Sequence, residues 1–108
     1  MPLYMFQAAY TSEAWAAQIS TPQNRIEQVR PAIERLGGRI LSAYYAFGEY
    51  DVVVIIEAPD NISIAALALA VAAGGAMKAQ KTTILMSIED GLAAIRRASG
   101  TRYRPPGS

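Results

Sequence analysis

An α+β domain built on a four-stranded antiparallel sheet is the fold class this sequence predicts. Three observations carry the prediction. Four apolar segments with strand character are interleaved with helical segments. A short Gly48-Glu49 link joins the second and third of these strands, so they pair as an antiparallel hairpin. The chain has 108 residues, enough for one domain that buries roughly two-thirds of its unfolded surface.

Each element follows from local chemistry. Leu3–Tyr10 is short, apolar and aromatic, and reads as a strand with both faces covered. Ser12–Ile19 is a small helical segment or turn, with Trp15 as a plug over one end of the core. A long helix is expected to start at Thr21-Pro22, since Thr caps well and Pro suits the first helical position. Ile26, Val29, Ile33 and Leu36 draw its apolar stripe, and Gly37-Gly38 ends it. Pro31 is the misfit and predicts a kink or a two-piece helix.

Arg39–Phe47 reads as the second strand, and Tyr50–Ala58 as the third. The β-branched run from Val52 to Ile56 makes the third strand central in its sheet. Pro59-Asp60 closes it, and Asp60 caps a helix that is apolar all round from Ile62 to Ala73. One small domain cannot bury every face of such a helix, so part of it is expected to meet another subunit. Lys78–Ile88 is a fourth strand. Gln80, Thr82, Ile84, Met86 and Ile88 face one way, with Lys81, Thr83, Leu85 and Ser87 opposite. Glu89-Asp90 opens a last helix with Leu92, Ile95 and Ala98 or Ser99 on its packed side. Residues 1–99 form a single domain, and 100–108 a tail.

The order strand, helix, strand, strand, helix, strand, helix is the ferredoxin-like split βαβ arrangement with a C-terminal addition. Helices cover one face of such a sheet. The strands here are apolar on both faces, so a second copy is expected on the open one, giving a dimeric α+β barrel. Composition agrees: hydrophobic residues make up 52% and charged residues 18%, against about 45–50% and 25% in average chains.

Histidine and cysteine are both absent. Zinc fingers, His-ligated haem, thiol nucleophiles, Ser-His-Asp triads and disulfide frameworks are thereby excluded. Oxygen ligands could hold a metal, yet no clustered carboxylate motif supports one, and no cofactor is expected. Net charge is +1. The basic tail of Arg96, Arg97, Arg102 and Arg104 is too sparse for a nucleic-acid arm. No basic, cleavable leader opens the chain, and the longest uncharged stretch, Asn61–Met77, falls short of the roughly 20 apolar residues that span a bilayer. A cytoplasmic location is expected.

The most specific segment is Gly48-Glu49-Tyr50-Asp51, followed by an apolar strand and Glu57-Ala58-Pro59-Asp60. With Pro22, Arg25, the Leu36-Gly37-Gly38 turn and Tyr45, it resembles the GYD-domain family from Leu3 to Glu89. The resemblance implies a ferredoxin-like, dimeric α+β barrel and implies no reaction. Pro31 and the very apolar Ala73–Met77 region depart from the family pattern. The hairpin, apolar strand and acidic cap are also similar to the ligand-sensing domains of Lrp/AsnC-type regulators, although no helix-turn-helix precedes them here.

Tyr45, Tyr50, Asp51, Glu57 and Thr82 are the candidate ligand or interface residues, with Gly48, Pro59 and Asp60 as structural members of the motif. By period two, Asp51, Val53, Ile55 and Glu57 share one strand face. Asp51 and Glu57 lie about 20 Å apart along it, too far to act as an acid/base couple within one chain. Across a dimer axis, Arg39, Lys78, Lys81 and Thr82 are candidate partners for them. The structural readings weigh more: Asp51 as a turn-closing acceptor, Glu57 as a strand-end ion pair or a register device, and the tyrosines as core and interface rings. Three functional classes fit: a homo-oligomer binding a small apolar ligand or a protein partner, a cofactor-independent enzyme using Tyr50 or Asp51, and a structural subunit.

Overall fold

The computed structural model describes residues 1–107. Its elements are β1 (Leu3–Tyr10), α1 (Ser12–Ser20), α2 (Arg25–Arg35), β2 (Arg39–Tyr45), β3 (Val52–Glu57), α3 (Asn61–Gly74), β4 (Met77–Leu85) and α4 (Ile88–Ser99). The four strands form one sheet in the order β2-β3-β1-β4, with every neighbouring pair antiparallel. This is the ferredoxin-like order, with the β-branched β3 in the interior beside β1. The segment expected at Ser12–Ile19 as a small helix or turn folds as the helix α1.

The pleat sorts the side chains. Tyr4, Phe6, Ala8 and Tyr10 of β1 lie beside Val52, Val54 and Ile56 of β3 and are buried. Ile33 of α2 and Ile64 and Leu67 of α3 close over them. Each such large apolar side chain stabilises the fold by about 1.5–3 kcal/mol relative to exposure. Tyr4 is fully buried and donates its hydroxyl to Asn61 Oδ1 at 2.7 Å. The opposite face carries Leu3, Met5 and Gln7 of β1, Val53, Ile55 and Glu57 of β3, and Thr83 and Leu85 of β4. No helix covers it. The register of β2 against β3 shifts between Ile40 and Ser42, leaving a bulge at Leu41.

Several boundaries differ from expectation. Thr21 closes α1, its N–H bonding Ala17 O, so the cap of α2 falls to Asn24. Asn24 Oδ1 accepts from the Ile26 and Glu27 amides. Asn is as good a cap as Thr, and two eligible caps stand three residues apart. Pro31 does not divide α2, which runs through it. The carbonyl it deprives of a donor belongs to exposed Glu27, where water can replace the lost bond.

The hairpin turn is wider than the expected Gly48-Glu49 link. β2 stops at Tyr45, β3 starts at Val52, and Ala46 N–H closes the loop on Asp51 O at 2.8 Å. Tyr50 therefore precedes β3. Gly48 has open space around it and no positive φ, so this turn does not depend on a glycine there. Gly38 is the constrained glycine: a Cβ on it would sit 2.6 Å from Glu57 O. β4 ends at Leu85 because the Ser87 hydroxyl caps α4 through Asp90 N–H and draws Ile88 into the helix.

The expected packed side of α4 is also corrected. Ile88, Leu92 and Ile95 are exposed, and the helix stands off the body of the molecule. The Cα radius of gyration is 17.5 Å, against about 13 Å for a compact chain of this length. Residues 100–107 form no helix or strand, and Ser108 of the expected tail lies outside the described residues. Among the described residues, no helix is long and apolar enough to cross a membrane.

Candidate functional site

The hairpin end of the sheet brings together the most specific side-chain cluster. Trp15, on the first turns of α1, leans on the end of β1 and sets its ring edge-on to Tyr10, centroids 5.1 Å apart. An indole N–H taken from water needs an acceptor. It donates to Asp51 Oδ2 at 3.2 Å, and the same oxygen accepts from Tyr10 N–H at 2.8 Å. Asp51 N–H in turn donates to Ala8 O. One carboxylate thus fastens the hairpin, the end of β1 and the start of α1. Tyr45 lies tilted to the Trp15 ring, at 6.4 Å between centroids. Burial pushes the Tyr10 phenol above its ordinary range, and Tyr45 adds to the rise, while the Arg25 guanidinium opposes it.

Of the residues proposed from sequence, the structure joins Tyr45 and Asp51 through Trp15. Tyr50 is half-buried in the neighbouring loop. Glu57 sits at the far end of β3, where Arg39 Nε donates to its Oε1 at 2.7 Å from the paired position on β2. Arg39, a candidate partner across a dimer axis, thus meets Glu57 within one chain. Thr82 is exposed on β4, opposite Phe6. Pro59 is exposed beside Gly37, and Asp60 Oδ1 accepts from Ser63 N–H at 2.8 Å as the cap of α3. That bond holds the Asp60 carboxyl below its usual range. Sequence reasoning placed Trp15 as a plug and missed its tie to Asp51. The signal was present in kind, since a half-buried indole calls for an acceptor, but 36 residues separate the two.

Two open clefts border this cluster in the helix layer. One, of about 420 Å³, lies over Tyr10 between α1 and the link to α2, and includes Arg25. The other, of about 540 Å³, runs between α2 and β2 and includes Tyr45. Between the sheet and α3, the void at Ile33, Ile56 and Leu67 holds only about 10 Å³, too little for a ligand. Among the described residues no three His, Cys, Asp or Glu side chains gather as metal ligands.

These features define a small ferredoxin-like α+β domain with one bare sheet face, open clefts in its helix layer, and a carboxylate spent on fastening the fold. The chain belongs to the GYD domain family, which it matches over residues 4–95. It is similar to the glutamine synthetase and cystathionine beta-lyase binding protein of Thermus thermophilus, with 30% identity over 79 residues that cover 72% of this chain and 82% of that one. Among solved structures, MtbAldR superposes with a TM-score of 0.61 at 20% identity, over 80% of this chain and 53% of that one. This chain therefore spans about half the length of MtbAldR. FFRP-DM1 superposes with a TM-score of 0.50 at 14% identity, over 80% of this chain and all of that one. Both likenesses concern the fold.

Proposed function

We propose that the protein is a homo-oligomeric binding module with no reaction of its own. Two copies stack their open sheet faces, and the helix layer left outside serves a protein partner. The carrying observation is the uncovered face centred on Met5, Val53 and Ile55, apolar side chains that lack a covering layer in one chain. Burying such a surface against its own copy follows the rule that sheets pack in layers. The stripe of α4 supplies a further apolar surface beyond the body of each copy.

A protein partner is supported by the name of the Thermus thermophilus relative, a binding protein for two enzymes. On this chain the surface that suits such a role is the outer side of α3, where Ile62 and Leu69 are exposed among alanines. The enzyme reading has less support at Asp51, whose Oδ2 already accepts from two donors that fasten the fold.

Sedimentation equilibrium tests the assembly. The wild-type chain is expected to be at least a dimer at micromolar concentration, and Ile55→Asp a folded monomer. A monomeric wild type overturns the reading. Titration with purified glutamine synthetase and cystathionine beta-lyase tests the partner, with Leu69→Glu expected to lose binding while remaining oligomeric.

A further inference from the structure

The two clefts of the helix layer differ in charge. The cleft between α2 and β2 includes Glu27 and Arg30, which neutralise each other in a two-pronged ion pair at 2.8 and 3.0 Å. The cleft over Tyr10 has one charged lining residue, Arg25. Its guanidinium donates to Gln28 Oε1, and Gln28 Nε2 donates to Gln23 Oε1, so a relay of neutral amides orients it without cancelling its charge. Among the described residues the ion pairs are Arg30–Glu27 and Arg39–Glu57, and Arg25 takes part in neither. Asp51, which contacts Tyr10 and Trp15, does not line this cleft.

The rest of the lining is small and mostly apolar. Ala14 and Ala17 of α1, Ala76 before β4 and the largely buried Tyr10 line it, with Gln18, Thr21 and Gln23 as the neutral polar members. The volume, about 420 Å³, falls within the 300–1,000 Å³ range of small-molecule sites. An arginine fork matches a carboxylate in two parallel hydrogen bonds, and its charge is always present at ordinary pH.

We propose that this cleft binds a small organic carboxylate with a short apolar body. Arg25 takes the carboxylate, and the three alanines and the Tyr10 ring take the body. The site lies in the helix layer, so it does not rest on the stacking of the open faces, and sedimentation and ligand titration report on the two proposals separately.

Butyrate and its uncharged isostere butyramide are the probes, titrated into the full-length ¹⁵N-labelled protein. The readouts are the backbone amides of Ala17 and Arg25 and the indole N–H of Trp15. Butyrate is expected to produce saturable shifts in the millimolar range, and butyramide none. Arg25→Gln should weaken butyrate about tenfold or more, the size expected for losing a charged hydrogen-bond pair. Arg30→Gln, which removes a charge outside the cleft, should stay within about twofold. Should Arg25→Gln lose its dispersed spectrum, Ala17→Leu, which fills the cleft from an exposed helix position, takes its place with the same expectation. The proposal is overturned by any of three results: no saturable butyrate binding, an equal response to butyramide, or unchanged affinity in the folded cleft variant.

Discussion

Asp51 shows how one side chain can outweigh a local pattern. Alternation along the strand would carry its carboxylate to the open face, with Val53 and Ile55. The two donors at Tyr10 N–H and Trp15 Nε1–H hold it beside α1 instead. Asp51→Ala leaves both donors without a partner in a partly buried setting. It is expected to lower stability by about 1–3 kcal/mol in urea unfolding, whereas Asp51→Asn, which keeps an acceptor, should lose clearly less. The Asp60 cap gives a pH signature. Its folded-state pKa is lowered by the Ser63 N–H bond, so its contribution is complete above the ordinary carboxylate range and is lost as pH falls through the lowered pKa. Urea midpoints taken across the acid range should fall less steeply for Asp60→Asn, which caps equally well without titrating. The cap was legible because Pro59-Asp60 ends a β-branched run and begins an alanine-rich one. The Asp51–Trp15 tie was not, since no local rule connects residues 36 positions apart.

At the scale of elements, the strands were the most readable part. The run from Val52 to Ile56 has no good alternative to a central strand, and the alternation in β1 groups Tyr4, Phe6, Ala8 and Tyr10 on one side, although only the structure shows that this side is the one the helices bury. Helix starts were less readable, because Thr21 and Asn24 are both good caps and only the length of α1 decides between them. The turn after α2 rests on close backbone approach. Gly37 has φ +82°, and Gly38 N–H bonds Ile33 O while its Cα lies against the strand-end carbonyl of Glu57. Gly38→Ala forces a methyl into that backbone oxygen. A loss of about 1–3 kcal/mol is expected, comparable to overpacking a core site. Gly48→Ala should be nearly neutral, within about 0.5 kcal/mol, because nothing lies near its Cα.

For the molecule as a whole, the unfinished surfaces matter most. The open sheet face carries half-buried apolar side chains, and the outer stripes of α3 and α4 carry exposed ones, which is much unpartnered apolar surface for a 108-residue chain. The apolar composition signalled this excess, yet it could not say that α4 would stand clear of its own domain, because its amphipathic pattern fits packing on either copy. Leu92→Glu with Ile95→Glu separates folding from assembly. Since neither side chain is buried in one chain, the urea midpoint of the dilute protein should move little, by less than about 0.5 kcal/mol. The dissociation constant of the proposed dimer, measured by sedimentation, should rise.

The bulge at Leu41 bears on how such an assembly can stop. β2 and β4 are the outer strands, and a regular outer strand invites another chain to hydrogen-bond onto it without end. The extra residue in β2 throws its exposed amides out of even spacing. Lys78 and Lys81 put like charges along β4, so a second β4 approaching side by side is repelled. Both flanks thus disfavour lateral growth, which leaves the proposed stacking as face-on contacts that close on themselves. A chain this apolar can then form a finite particle rather than a fibre.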